Sequence, residues 1–409
     1  MPGRKTIVQG TGEVVKIIVG IVGKPNVGKS TFFSAITKTV VEIANYPFTT
    51  IKPNLGTAYV RKPCPHTFIG KSCNPRNSIC LDGTRMIPIS VMDVAGLVPE
   101  AHKGKGLGNK FLDDLRNADA LIHVVDVSGL TDKEGNMVGK GFGNPMEDIE
   151  FIENEISYWL SDIISRNWKK ISRRIGNEKI EDIISEMVSG LGIDERMVSD
   201  AMSRASFGPV DQWDEDDFLS IGRELLKTSK PMIIAANKAD IADSEILREL
   251  MKRSPYPVIP VSADYELGLI KAARAGLIKY IPGDNNFTIV EKSRLSEQQL
   301  KALEKIREFM KMNNGTGVQN VLEKLIFDIL KMITVYPVED ETHWTDKNGN
   351  VLPDVFLMRN GSTALDLAFR VHTDIGKNFI RAIDAKKKVV VGKDYVLNDQ
   401  DVIKIVAKT

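Results

Sequence analysis

Through its first third the chain alternates short apolar runs with stretches of helical periodicity, the pattern of a mostly parallel α/β sheet. The runs Val14–Val22, Ile87–Asp93, Ala120–Val127, Met232–Asn237 and Val258–Ser262 read as strands, each closing in a polar or glycine-rich turn. In a doubly wound sheet, ligands collect outside the carboxyl ends of the strands, so those turns are where chemistry is expected. The alternation stops near residue 143. Asn144, Pro145 and Glu147 then supply an N-cap, a first-turn proline and an acid at the third helical position. Ile149, Ile152, Ile156, Trp159, Leu160, Ile163 and Ile164 follow helical spacing. Acids at the helix start (Glu147, Asp148, Glu150) precede bases (Lys169, Lys170, Arg173, Arg174), as the helix dipole prefers. Residues 143–228 therefore read as a helical insertion within a nucleotide domain built from 12–142 and 229–332.

A second helical stretch covers 296–331, with Gly315 and Gly317 between its halves. Beyond it, Ile333–Val338, Val355–Leu357, Lys388–Val391 and Val402–Val406 are strand candidates around one short helix near Ala364–Val371, capped by Ser362 or Thr363. A small mixed α+β module over 333–409 is expected.

Composition narrows the setting. The 409 residues are 42% hydrophobic and 27% charged, enough for a large core without staples, and the net charge of +1 supplies no global field toward polyanions. Contacts to RNA must come from local patches. The 169–174 cluster and Lys386, Lys387 and Lys388 are candidates, with a solvated surface the simpler reading of each. No signal peptide and no membrane-spanning run is seen, which points to the cytoplasm and to no membrane partner. Cys64, Cys73 and Cys80 are too few for a disulfide framework. They share a 17-residue stretch with His66, which admits a metal site, but no C-x-x-C pair is present. Pro63, Pro65, Pro75 and Gly70 favour an ordinary reduced loop.

The strongest chemical signal is Gly23-Lys24-Pro25-Asn26-Val27-Gly28-Lys29-Ser30, followed by Thr31, set between a strand and a helix. The pattern G-x-x-x-x-G-K-S in that setting lets backbone N–H groups surround phosphate oxygens, with the positive helix end behind them. Lys29 can reach the β- and γ-phosphates, and the Ser30 hydroxyl can ligate magnesium. Asp93 ends a strand and can hold magnesium through water, while the Gly96 N–H can bond the γ-phosphate. Upstream, Thr49 and Thr50 offer a switch ligand for the same ion, Thr50 being favoured. The glycine- and lysine-rich run His102–Asn109 suits a segment that orders around a γ-phosphate.

Asn237-Lys238-Ala239-Asp240 closes the fourth strand candidate. The acceptor-only Asp240 carboxylate matches the paired donors of guanine, which adenine lacks. Lys238 is expected along the base plane, and Ser262-Ala263 to present a backbone N–H to the guanine 6-oxo group. GTP and GDP are thus the expected ligands. The position after Gly96, where many small GTPases place a water-orienting glutamine, is Leu97. Hydrolysis is then slow and partner-stimulated, or another group substitutes. Asn26 could help bind a potassium ion in the arginine-finger role. His123 or His102 could place water, with a satisfied core histidine the simpler reading of His123.

The phosphate loop, Tyr46-Pro47-Phe48-Thr49-Thr50 and Asp93-Val94-Ala95-Gly96-Leu97 together resemble the Obg family of P-loop GTPases. Lys103–Leu112, the helical insertion and Asn360–Ala368 narrow the resemblance to its YchF branch, whose C-terminal TGS module is a β-grasp domain. The resemblance implies a P-loop GTPase sheet with an inserted helical domain and a C-terminal TGS domain. It further implies a hydrophobic residue such as Leu97 in place of the glutamine, association with the ribosome or its subunits, and a catalytic candidate in His123. YchF members of bacteria and eukaryotes typically carry an altered base-recognition motif and prefer ATP. This chain keeps Asn-Lys-Ala-Asp, so GTP preference, or dual use at most, is expected.

Overall fold

The computed structural model describes residues 17–38, 54–94, 111, 114–166, 168 and 172–408. Thr49, Thr50, Gly96, Leu97 and the His102–Asn109 run lie outside them, as do residues 12–16, Lys169 and Lys170.

The strands in chain order are β1 (Ile18–Val22), β2 (Leu55–Pro63), β3 (Ile79–Leu81), β4 (Thr84–Asp93), β5 (Ala120–Asp126), β6 (Met232–Asn237) and β7 (Val258–Pro260). A short hairpin, β8 (Ile278–Lys279) and β9 (Thr288–Ile289), follows. The last five are β10 (Met332–Val338), β11 (Phe356–Arg359), β12 (Phe379–Asp384), β13 (Val389–Val391) and β14 (Asp401–Ala407). The large sheet has the order β2-β4-β1-β5-β6-β7, with β3 antiparallel to β4. β4, β1, β5, β6 and β7 run parallel, as the buried apolar runs require. All five expected strands appear there, but β2 and β3 were not foreseen.

The chain forms two compact units, one comprising 17–59 and 89–325, the other 60–88 and 326–409. Residues 60–88, read above as part of the nucleotide domain, cluster instead with the C-terminal segment.

Within the first unit, the helix Pro145–Ser165 starts as expected. The Asn144 side chain accepts from the Met146 N–H, Pro145 occupies the first turn, and the Asn144 amide bonds Glu147 at 3.1 Å. It buries Ile149, Ile152, Ile156, Trp159, Leu160 and Ile164. Ile184, Val188, Val198 and Leu225, from three further helices between β5 and β6, join the same core. Trp168 stacks on Trp213 at 4.5 Å, with Phe218 edge-on to both. Arg174 pairs with Glu178 at 2.5 Å and Glu186 at 2.8 Å, the solvated-face alternative for that basic cluster.

In the second unit the sheet order is β11-β10-β14-β12-β13, with β10 and β14 parallel and the other pairs antiparallel. The helix Ala364–Val371 covers it with Ala364, Leu367 and Ala368, and Thr363 is its cap, completing a reciprocal box with Asp366. Lys387 is committed to Asp384 at 2.8 Å and to the Tyr395 hydroxyl at 2.7 Å. Among the described residues, no helix is long and apolar enough to cross a membrane.

Candidate nucleotide-binding site

β1 delivers the chain into the phosphate loop, and α1 (Lys29–Thr37) leaves it. Two glycines are dictated by geometry. Gly28, at φ 93°, caps α1, and a Cβ there would lie 2.2 Å from the Asn237 amide nitrogen. A Cβ on Gly23 would lie 2.6 Å from the Val124 carbonyl. Asn26 takes a left-handed conformation, which asparagine tolerates better than most side chains. Val27 is fully buried and pins the loop to the core, while Pro25, Asn26 and Ser30 are exposed and Thr31 is half-buried.

The loop is tied down by groups distant in sequence. Lys24 is only 3% exposed; its ammonium bonds the Asp148 carboxylate at 2.6 Å and the carbonyls of Asp132 and Thr131 at 2.6 and 3.2 Å. Lys24 was expected to touch nucleotide, but its side chain is turned away into this buried pair. Burial raises the Asp148 carboxyl to about 6 against the pull of Lys24. The Asn26 amide donates to the Gly135 carbonyl at 2.9 Å. The Asn26 carbonyl accepts from Lys238 at 3.0 Å, and Lys238 also pairs with buried Asp126 at 2.8 Å. Asp126 further accepts from Ser128 and Thr131. Asn237 bridges the two motifs, donating to the Val27 carbonyl at 2.9 Å and accepting from the Ala263 N–H at 3.2 Å.

This bridge corrects one expectation. The Ala263 N–H is occupied by Asn237 and the Ser262 N–H by the Thr316 carbonyl at 3.0 Å, so neither stands free for a guanine 6-oxo group. Ser262 is fully buried, and its hydroxyl caps the next helix through the Tyr265 N–H. Asp240, by contrast, is half-buried, and no donor among the described residues bonds its carboxylate.

Lys29 is half-buried, with its ammonium on the Asp93 carboxylate and 2.9 Å from the Val94 carbonyl. Parallel pairing sets Asp93 opposite Ile21, level with the loop's entrance. Ser30 and Asp93 present oxygen donors from adjoining elements, the chemistry magnesium selects. His123 pairs across with Val22 and Ile234 in the middle of the sheet and is 1% exposed. Burial, with the charge of Lys24, pushes its imidazole down to about 3, and its Nδ1 has no partner. The ring is enclosed and neutral like a core histidine, but with Nδ1 unpartnered it is not the satisfied one of the simpler reading.

A parallel sheet with a glycine-rich loop at one strand end and an Asn-Lys-x-Asp loop two strands away defines a P-loop nucleotide-binding protein. Comparison with known proteins agrees. Residues 18–155 match a family described as 50S ribosome-binding GTPase, and residues 235–340 an Obg-like GTPase domain containing the base-recognition motif. Residues 343–407 match the TGS domain. A GTP-binding protein of Methanocaldococcus jannaschii is 53% identical over 393 residues, covering 95% of this chain and 99% of that protein. The ribosome-binding ATPase YchF of Buchnera aphidicola is 28% identical over 411 residues, covering 94% and 97%. A crystal structure of a GTP-binding protein from Pyrococcus horikoshii superposes with a TM-score of 0.75 at 43% identity, covering 96% and 100%. The chain belongs with the GTP-binding proteins that the Methanocaldococcus jannaschii relative represents, and it carries an Obg-like GTPase domain and a TGS domain.

Proposed function

We propose that this protein is a magnesium-dependent GTP hydrolase whose nucleotide state governs its engagement with the ribosome. The carrying observation is the Asp240 carboxylate, half-buried and without a protein donor among the described residues, beside an Asn237 whose amide joins the two loops. A paired donor on guanine satisfies that carboxylate. Adenine leaves it unpaired at a cost of about 1–3 kcal/mol, a discrimination of about tenfold to a hundredfold.

Phosphate binding falls to the loop's N–H groups and the start of α1, with Lys29 brought to the β- and γ-oxygens. Magnesium, held by Ser30, Asp93 and Thr50, would neutralise charge developing on those oxygens. The Gly96 N–H would face the γ-phosphate. Leu97 cannot order water, so turnover is slow until a partner contributes. The ribosome is the proposed partner, because the Buchnera relative is named for binding it. That name also favours a second reading, ATP hydrolysis on the same site.

Titration of the purified protein with GTP and ATP in magnesium decides between them. At least about a tenfold preference for GTP is expected, reduced in Asp240→Asn. Equal or tighter ATP binding would overturn the base-reading role of Asp240. Hydrolysis measured in potassium and in sodium extends the test: a rate specific to potassium supports a cation at Asn26, and equal rates remove it.

A further inference from the structure

Away from the nucleotide site, four soft ligand atoms converge. Cys64 follows β2, His66 opens the short helix His66–Ile69, Cys73 lies in the loop after it, and Cys80 is in β3. The Sγ atoms of the three cysteines and a ring nitrogen of His66 all lie within 4.8 Å of one another. Cys64 Sγ is 3.8 Å from Cys73 Sγ, and Cys80 Sγ is 3.7 Å from His66 Nδ1. A zinc ion with sulfur ligands at about 2.3 Å and nitrogen at about 2.0 Å sets tetrahedral neighbours about 3.5–3.8 Å apart. The two contacts at 3.8 and 3.7 Å match that tetrahedron, and the remaining pairs, all within 4.8 Å, need to close by at most about an ångström around an ion. The sequence alone favoured a plain loop because the spacing lacks a C-x-x-C knuckle; the fold brings the four ligands in from separate segments instead.

Charge makes an independent case. Arg85 is fully buried. Its guanidinium bonds Cys73 Sγ at 3.5 Å, Cys64 Sγ at 3.9 Å and the Leu352 carbonyl at 2.5 Å, and its Nε has no partner. It also lies 5.6 Å from the Tyr336 ring. No carboxylate among the described residues pairs with it. A buried cation without a counter-charge is strongly disfavoured. Three thiolates and a neutral imidazole around a divalent ion carry one net negative charge, which Arg85 would neutralise. The loop between the ligands is also fixed from outside: Asn74 exchanges two backbone-directed bonds with Val351, Arg76 pairs with Asp354, and Asn77 bonds Val355 in both directions.

We propose that Cys64, His66, Cys73 and Cys80 form a structural zinc site, closed by four protein ligands and charge-balanced by Arg85. Closed tetrahedral sites of sulfur and nitrogen select zinc and act in folding rather than catalysis. This site would staple the 64–80 segment, which otherwise offers little core of its own.

The test is metal analysis of the full chain, purified under reducing conditions after growth with zinc and then desalted. One zinc per chain is expected, and exchange with cobalt should give the visible absorption of tetrahedral sulfur coordination. Cys73→Ser and Cys80→Ser should each weaken zinc binding by more than the roughly tenfold to a hundredfold that loss of an outer-sphere partner costs, while His66→Cys, which keeps four soft ligands, should retain the metal. Zinc-free wild-type protein with three titratable thiols, or with Cys64 and Cys73 joined as a disulfide, would overturn the proposal. So would a zinc affinity, measured against a competing chelator, that is unchanged in Cys80→Ser.

Discussion

Lys24 and Arg85 are both buried cations, one in each compact unit, and their surroundings differ in kind. Lys24 reaches a carboxylate and two carbonyls, a complete set for an ammonium. Arg85 reaches two thiols and one carbonyl, and leaves one nitrogen unpaired. Lys24 is thus neutralised by the fold itself. Arg85 requires its neighbours to become anionic, which thiols do when a metal binds them. A buried cation can therefore report chemistry that its own hydrogen bonds do not contain.

Breaking the first pair should produce the largest effect. Lys24→Met leaves Asp148 buried without its partner and is expected to cost about 3–5 kcal/mol in denaturant unfolding at neutral pH. The sign with pH follows from the carboxyl. Already raised to about 6 in the intact protein, it rises further without the ammonium, so the loss should shrink as pH falls and the group takes a proton. A loss independent of pH would mean that packing, not charge, dominates.

Arg85→Met sharpens the other side. If the cation balances a metal site, zinc affinity measured against a competing chelator should fall about tenfold to a hundredfold. If no metal is present, replacing a poorly paired buried cation by an apolar chain of similar length should be neutral or stabilising. The smallest effect concerns a buried group with no charge to balance. His123→Leu removes an unpartnered nitrogen and should leave stability at neutral pH unchanged or slightly raised. The native imidazole stays neutral down to about pH 3, whereas the unfolded chain protonates near 6.5. The intact protein therefore loses stability as pH falls between those values, and the variant's unfolding curve should be flatter there. A variant that keeps GTP affinity but loses hydrolysis would restore the catalytic reading of His123.

These contrasts also show what a sequence makes legible. The phosphate loop, Asn237–Asp240 and five strands of the large sheet were readable because their signals are local: glycine where a Cβ would clash, apolar runs, fixed spacing. Asn144 and Pro145 announced the insertion helix for the same reason. β2, β3 and β12 were missed, because Leu55–Pro63 and Phe379–Asp384 interleave charged and small residues through short apolar stretches and Ile79–Leu81 is only three residues long. The Lys24–Asp148 pair, 124 residues apart, has no signature in either neighbourhood. Nor does the Asn237 bridge that occupies the Ala263 N–H. The cysteine cluster was visible as composition but not as a site, since its ligand geometry exists only once β2, β3 and the loop between them are folded together.

One contact joins the phosphate loop to the rest of its unit in a further sense. Asp148 lies in the first turn of a 21-residue helix, and Lys24 holds that turn beside the loop that cradles phosphate. At 1.5 Å per residue such a helix extends about 30 Å, so a tilt of about 5° at its root would displace its tip by roughly 2.6 Å. The ion pair therefore ties the root of this helix to the phosphate loop, so any shift of the loop would be passed to the helix at its first turn.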